Sequence, residues 1–303
     1  MKPRVKRALL SAFGLLTLAG AGLGAYAIPK IRAFDQSMAQ VYDIAPPAIQ
    51  RSSDPAVLAR GKHLTESITA CATRDCHGSD LAGGQSIDLG PLGTLSGPNL
   101  SNGFLTAYSD GELARLLQFG LKRDGTSVRM MPVQDFNWLP DSDVVALVSY
   151  LRTIPRIDRP NGPMVVRPLA KILDRRGEFI FDVARHVATR PRELAPPPSP
   201  SAEYGRFVAR LCMGCHGDGL SGGRIPGAPP SIPIPSNITP DASGIKEWTY
   251  EDFIKLLNTG VRKNGLALNP FMPYEALAKM DDVEKRALWF YLRSVPAKPF
   301  GQR

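Results

Sequence analysis

The sequence predicts a mainly α-helical protein with an amino-terminal transmembrane helix and two tandem domains of one fold. Three observations predict it. An uncharged run of 21 residues follows a basic amino terminus, the second half of the chain repeats the first, and the repeats carry helix caps without alternating strand patterns. At 303 residues, the chain is long enough for two domains of ordinary size plus these extra segments.

The amino-terminal run is predicted to cross a membrane. Residues 8–28 carry no charge, and a helix of that length spans a hydrocarbon core of roughly 30 Å. Four basic residues precede the run and two follow it closely, which predicts a cytoplasmic amino terminus and an exported body. We expect an uncleaved anchor over residues 1–34. The alternative is a secretory signal cleaved after Ala25-Tyr26-Ala27.

The net charge of +9 is concentrated in this segment. Residues 1–34 contain six basic residues and no acidic one, which leaves +3 for the rest of the chain. The charge therefore indicates targeting, and we expect no nucleic-acid partner.

The internal repeat has matched motifs and matched spacing. Five pairs of segments correspond: 76–84 with 215–223, 99–101 with 237–239, 119–125 with 259–265, 131–132 with 272–273, and 150–155 with 291–296. In both copies, the tyrosine of the fifth pair follows the methionine of the fourth by 19 positions. We therefore predict domains at 50–158 (the first repeat) and 201–303 (the second repeat), joined by a linker over 159–200.

Each repeat is predicted to hold an opening helix, a capped middle helix and a closing helix that ends at proline. The opening helices start near Gly61 and Tyr204, the capping boxes are Ser109 with Glu112 and Thr249 with Asp252, and the closing helices span 141–153 and 281–294. Between them lie Gly- and Pro-rich loops with no alternating strand pattern. Residues 166–188 of the linker have helical character. They indicate a helical clasp between the domains or, alternatively, a docking surface.

The second repeat contains Cys212-Met213-Gly214-Cys215-His216, the attachment signature of a c-type haem. Two thiols add across the porphyrin vinyl groups, and the adjacent histidine becomes the proximal iron ligand. Positions i, i+3 and i+4 share one helix face, so all three groups can meet one flat macrocycle. A structural zinc site would need a second ligand pair nearby, and none follows Cys215.

The first repeat carries a wider motif, in which four residues separate Cys71 from Cys76 before His77. The extra residues can bulge outward while both thiols bind haem. Alternatively only Cys76 is attached, or the two cysteines form a strained local disulfide. Because the rest of the repeat is intact, we expect a covalent haem here too, and therefore two covalently attached haem c groups.

Met131 and Met272 are the candidate distal ligands. They occupy equivalent places in the repeat, each before a proline, and a thioether ligand raises the reduction potential and closes the iron site. Core packing is the alternative role of such methionines. Met130 is adjacent but does not keep the 19-residue spacing. His63 and His186 have no counterpart in the repeat, and we expect both at the surface.

These motifs resemble the class I cytochrome c family, most closely the membrane-anchored multi-haem branch that includes cytochrome subunits of periplasmic quinoprotein dehydrogenases. The resemblance covers nearly everything from residue 55 onward. It implies thioethers at Cys71, Cys76, Cys212 and Cys215, proximal ligands His77 and His216, and distal ligands Met131 and Met272. It also implies helix crossings at Gly61 against Tyr150 and at Gly205 against Tyr291, and orientation of the imidazoles by the carbonyls of Pro98 and, displaced by one residue, Pro235. Those subunits usually carry three haem motifs, whereas this chain has two.

The resemblance implies electron transfer. We expect a dihaem protein, anchored in the bacterial inner membrane with its body in the periplasm, or soluble in the periplasm after signal cleavage. Its expected partners are a dehydrogenase, a quinol-oxidising complex or a terminal oxidase. The alternative is a haem enzyme with one open site, a dihaem peroxidase or a thiosulfate-oxidising cytochrome. Such an enzyme needs acid and base residues above the haem, and nothing in the sequence marks them.

Overall fold

The structure is a computed structural model, which describes residues 3–101 and 105–303. Lys2 of the basic stretch lies outside them. The fold is mainly helical, as predicted. Its helices are α1 (Pro3–Ala39), α2 (Pro55–Glu66), α3 (Asp110–Phe119), α4 (Asp141–Leu151), α5 (Pro168–Arg175), α6 (Ala184–Val187), α7 (Ala202–Val208), α8 (Arg210–His216), α9 (Tyr250–Thr259), α10 (Tyr274–Ala278) and α11 (Asp282–Ser294). Its strands are β1 (Ile87–Asp88), β2 (Gly93–Leu95) and β3 (Val165–Val166).

Helix α1 continues beyond the predicted segment, to Ala39. Its stretch Leu10–Ala39 is long and apolar enough to cross a membrane, with a mean hydropathy of 1.5, and its most apolar 18-residue window is not buried by the protein. The carboxyl end of α1 instead packs on α5. Phe34 is buried there, and Asp35 pairs with Lys171 at 2.6 Å. The helix therefore leaves the body with an apolar, uncovered surface, as a membrane anchor or a signal sequence does.

In the first repeat, the opening helix α2 crosses the closing helix α4 at Gly61. The helix begins six residues earlier than predicted, because Asp54 caps it and proline occupies its first position. A Cβ atom at Gly61 would lie 2.0 Å from the carbonyl oxygen of Ala146 and 2.7 Å from the Cβ of Tyr150. Only glycine permits this approach, so the expected crossing is confirmed.

In the second repeat, α7 crosses α11 in the same way. A Cβ atom at Gly205 would lie 1.9 Å from the carbonyl oxygen of Ala287 and 2.8 Å from the Cβ of Tyr291. The close approach brings the opening and closing helices of each repeat into direct backbone contact. This contact fixes where the motif that follows the opening helix must lie.

The two middle helices are confirmed with their capping boxes. In α3 the Ser109 and Glu112 side chains each accept a hydrogen bond from the other's backbone amide, and in α9 Thr249 and Asp252 do the same. Both helices end at a glycine with φ of 66°, the left-handed conformation that closes a helix.

The loops contain one small antiparallel sheet of order β1-β2-β3, which no alternating pattern in the sequence indicates. Ile87 lies opposite Leu95, and Gly93 lies opposite Val166. Each strand has two or three residues, which is too short for an alternating pattern to show in the sequence. Because β3 comes from the linker, the sheet ties the linker to the first repeat.

The linker forms two separate helices instead of one helical stretch. Gly177 adopts a left-handed φ of 75° after α5. The buried carboxylate of Asp174 then accepts the backbone amides of Phe181 and Asp182 at 2.9 and 3.0 Å. Helix α5 packs on α1, and α6 packs on α3. The linker helices therefore cover the first repeat and α1. Leu173 of α5 also lies against Gly227 of the second repeat, in a cluster that includes Ile232, so the linker contacts both repeats.

The connection between the repeats is made by the extended residues 192–195. Arg192 donates to the carbonyl oxygen of Asn137 in the first repeat at 2.9 Å. Glu193 pairs with Arg206 in the second at 2.6 Å. Next to this segment, the repeats bury one continuous hydrophobic core. They therefore pack against each other directly.

Candidate functional site

The second cysteine motif lies on helix α8, as its spacing predicts. Cys212, Cys215 and His216 occupy positions i, i+3 and i+4 of this helix, so their side chains share a face. Both thiols are free, and burial raises the pKa of Cys215 and raises that of Cys212 to about 12. The thiols are therefore protonated and held in an apolar environment.

His216 is oriented by a backbone carbonyl. Its Nδ1 lies 2.7 Å from the carbonyl oxygen of Ser236, and since a carbonyl only accepts, Nδ1 carries the proton. Burial lowers the pKa of the imidazole, which favours the neutral ring. Nε2 is then the nitrogen with a free lone pair, which is the form that binds a metal.

Ser236 corrects the expectation for Pro235. The carbonyl of Pro235 instead accepts a hydrogen bond from the amide of Gly223 at 3.0 Å. The signal for Ser236 was in the sequence. The aligned residues Asn99 and Asn237 follow Pro98 and Ser236 directly, so a count back from the asparagine finds the right carbonyl.

The first motif folds as consecutive turns and not as a helix, because it contains two more residues. Its ends are still bridged, since the amide of His77 donates to the carbonyl oxygen of Cys71 at 3.1 Å. Arg74, in the middle of the motif, is exposed. The extra residues therefore bulge outward. Cys71 and Cys76 are free thiols, so the disulfide alternative is not formed in this structure.

His77 reproduces the geometry of His216. Its Nδ1 lies 2.9 Å from the carbonyl oxygen of Pro98, as the resemblance implied, and burial lowers the pKa of the ring. Burial also raises the pKa of Cys71 to about 11. The first repeat thus presents a neutral imidazole beside two protonated thiols, despite the different backbone path between its cysteines.

The loops after the two histidines match closely. The amides of Gly83 and Gly222 donate to the carbonyl oxygens of His77 and His216, each at 2.9 Å. Leu81 and Leu220 both adopt a φ of 58°, a left-handed conformation that is uncommon for leucine. Two loops 139 residues apart in sequence thus share their hydrogen bonds and their backbone strain.

The structure separates Met131 from its neighbour Met130. Met131 packs against the core that Cys71 and Cys212 also contact, and so does Met272. Met130 has a φ of 55° and packs instead in the cluster around Phe34 beneath α1. The two methionines with matched spacing therefore pack on the same core cluster as Cys71 and Cys212, and Met130 does not. Met280 is buried in the core, as expected of a packing residue.

Each repeat thus offers two thiols, one neutral imidazole nitrogen and one thioether sulfur in apolar surroundings. This donor set suits a covalently attached haem with histidine–methionine ligation. The residues present therefore fit the group that the motifs predict.

Sequence reasoning missed the role of His63, which is not a surface residue but lies half-buried between the repeats. Its Nε2 is 2.9 Å from Oε1 of Glu284, and Arg60 lies 3.6 Å from the same oxygen. Glu284 is buried, and Asp281 completes a group of ligand-type atoms within 4.8 Å of one another. Because Arg60 already supplies a positive charge, this group is an ion-pair cluster joining the repeats.

Comparison with known proteins finds cytochrome c subunits of dehydrogenases. The chain is 39% identical over 99 residues to the cytochrome c subunit of alcohol dehydrogenase (quinone) from Gluconobacter oxydans (strain 621H). It is 38% identical over 94 residues to the gluconate 2-dehydrogenase cytochrome c subunit of Pantoea cypripedii. Over 117 residues it is 33% identical to the fructose dehydrogenase cytochrome subunit of Gluconobacter japonicus. The chain is related to these cytochrome c subunits.

The similarity covers only part of this chain and part of each relative. The three matches cover 30%, 29% and 35% of this chain, and 21%, 21% and 24% of the relatives. The chain thus spans about a quarter or less of the length of the curated relatives it matches. No family model matches the chain.

Proposed function

We propose that the chain is a membrane-anchored, periplasmic dihaem protein that carries electrons away from a dehydrogenase. Its body would consist of two tandem class I cytochrome c domains, residues 50–158 and 201–303. One observation carries the proposal, namely the repetition of the same local geometry around His77 and His216. Each imidazole donates Nδ1–H to a backbone carbonyl, and the backbone carbonyl of each histidine accepts an amide from the following loop. Each cysteine motif follows an opening helix that crosses the closing helix at a glycine.

When bound, each haem supplies a one-electron couple at its iron. Its holders would be Cys71, Cys76, His77 and Met131 in the first repeat, and Cys212, Cys215, His216 and Met272 in the second. The carbonyls of Pro98 and Ser236 hold each ring with Nε2 free, and the buried surroundings exclude water. With Met131 and Met272 as the second iron ligands, neither site would keep an open position, which would favour electron transfer over the haem-enzyme alternative.

The packing between the repeats supports electron transfer within one chain. The 3-10 turn Val133–Asp135, which follows Met131-Pro132, packs against α8, which carries the second cysteine motif. The distal side of the first site and the attachment helix of the second are therefore neighbours. Electrons can then pass from one site to the other without leaving the protein.

The relatives support a dehydrogenase as the electron donor, since each of them is a cytochrome subunit of a dehydrogenase. A quinol-oxidising complex or a terminal oxidase finds no support among them. The uncovered apolar part of α1 supports attachment to the membrane, with the charge bias placing the body in the periplasm.

Intact mass of the exported protein tests the proposal, after production in cells that attach haem c. We expect the polypeptide plus two haem masses in the wild type, and one haem fewer in Cys212→Ala/Cys215→Ala. The matched control is Met280→Leu, which changes a buried methionine outside both sites and should keep two haems. One haem in the wild type would contradict the dihaem claim, and none would contradict the function.

Cys71→Ala separates the alternatives for the widened motif. If both thiols are attached, as the outward bulge supports, this variant keeps two haems, and Cys76→Ala does too. If Cys76 alone is attached, Cys76→Ala loses one haem while Cys71→Ala loses none. The mass of each variant after denaturation distinguishes these outcomes, because only covalently attached haem remains.

A further inference from the structure

The turn Val133–Asp135 places a carboxylic acid of the first repeat beside the second cysteine motif. Among the described residues, electrostatic interactions of Asp135 reach Cys212, Cys215 and Arg210 of α8 and Asp218 just beyond it. Cys212 and Cys215 are the residues that would carry the second haem. Asp135 therefore lies near the edge of that site, although it belongs to the other repeat.

The backbone of Asp135 is held in place from both repeats. Its amide donates to the carbonyl oxygen of Pro132 at 2.9 Å, and its own carbonyl accepts Nε1–H of Trp138 at 2.6 Å. Trp138 is 1% exposed and packs against Tyr204 and Phe207 of the second repeat, with ring centroids 6.2 and 5.7 Å away. The backbone that carries the carboxyl is therefore held beside the interface between the repeats.

The carboxyl itself has no structural partner. Among residues 3–101 and 105–303, its oxygens take part in no hydrogen bond or salt bridge. Part of the residue remains accessible to solvent, while protein surrounds most of it. In the second repeat the position that aligns with Asp135 is Ala276, so the fold that the repeats share does not require an acid there. Because protein surrounds most of the residue, this carboxyl is harder to ionise than one in open solvent.

We propose that the carboxyl of Asp135 is a proton-binding group of the second haem site, which takes up one proton when that haem gains one electron. Reduction removes one positive charge from the iron, and a nearby carboxylate then holds a proton more strongly. The electron comes from the dehydrogenase donor and the proton from solvent. When the electron leaves for an acceptor protein, the proton returns to solvent. This inference rests on the proposed function.

The charges around the carboxyl are suited to this exchange. Desolvation raises the pKa of Asp135 to about 7, Arg210 opposes the rise and Asp218 adds to it, so a modest change in nearby charge can shift protonation near neutral pH. Helices α3 and α6 also pack on the turn and carry Arg115, Arg185 and His186. Among the described residues, Arg210 and Asp218 are the charged groups that act on the carboxyl. Attached cysteines no longer ionise.

Redox titration of the haem-loaded, full-length protein at a series of pH values tests the inference. We expect the midpoint potential of the second haem to fall as pH rises through neutrality, and this pH dependence to disappear in Asp135→Asn. The change leaves the backbone bond to Trp138 in place. The control Asp124→Asn, which alters an exposed carboxyl of the first repeat, should keep the wild-type pH dependence. Asp135→Glu should retain a pH dependence with a shifted midpoint, because a carboxyl is still present.

The second haem is identified in a Met272→His background, since exchange of methionine for histidine lowers the potential of that haem alone. Infrared difference spectra between the reduced and oxidised protein provide an independent readout. A band of a protonated carboxylic acid should appear on reduction and be absent in Asp135→Asn.

Two haems with an unchanged pH dependence in Asp135→Asn would overturn the inference and leave the proposed function intact. A pH dependence confined to the first haem would overturn the assignment to the second site. A protein without haem absorption would contradict the proposed function itself.

Discussion

Replacing Gly205 with alanine should destabilise the second repeat, because α7 and α11 touch at that position. The new Cβ atom would lie 1.9 Å from the carbonyl oxygen of Ala287, where real contacts are essentially never below 3.0 Å. The obstacle is backbone and not a flexible side chain, so it cannot rotate away. The two helices must therefore separate by about 1.1 Å or more, which also loosens the packing of Tyr291.

The expected cost follows from two opposing effects. Overpacking a well-packed contact costs about 1–3 kcal/mol, and a backbone obstacle places this change at the upper end. Alanine returns about 1 kcal/mol relative to glycine inside a helix. The net loss is about 2 kcal/mol, which lowers the midpoint of thermal unfolding by roughly 4–8 °C for a body of this size.

Thermal unfolding of the haem-loaded protein, followed by far-ultraviolet circular dichroism, measures this loss. Glu203→Ala is the matched control, because it introduces the same residue on the exposed side of α7, where the change should stay within about 0.5 kcal/mol. Gly61→Ala should reproduce the loss at the equivalent crossing in the first repeat. A midpoint for Gly205→Ala equal to that of the control would refute the reasoning.

Two further predictions concern the iron sites and the interface. In Met272→Ala the distal position of the second haem is open, so the reduced protein should bind carbon monoxide there, whereas carbon monoxide should not perturb the wild-type spectrum. Rapid binding by the wild type would contradict the methionine assignments. The hydrogen bond to Glu284 raises the pKa of His63, so its contribution to stability is complete below pH 6.5 and is lost as pH rises through the raised value. The thermal midpoint of the wild type should therefore fall with pH in that range, and His63→Gln, which cannot titrate, should lack this fall; equal profiles would exclude His63 as the cause.

Much of the candidate site was predictable because its signals are local. The cysteines and histidine of Cys212–His216 are adjacent in sequence, so their helical geometry follows from spacing alone. The two capping boxes, Ser109 with Glu112 and Thr249 with Asp252, are equally local, and both are confirmed. The repeat added the matched methionines, since two copies of one pattern reveal which spacings are kept. The structure added a reason to prefer Met131, because Met130 packs in a different cluster.

The sequence by itself determined the helical class, the repeat, the apolar amino terminus and the residues suited to hold haem. Only the tertiary structure decided what lies between the repeats. The contact of His63 with Glu284 joins residues 221 positions apart. The turn that carries Asp135 likewise contacts α8 of the other repeat. No periodicity or spacing marks such pairs, since they depend on the relative orientation of two packed bodies. The burial of these groups, and the raised pKa values of His63 and Asp135, exist only once the chain has folded.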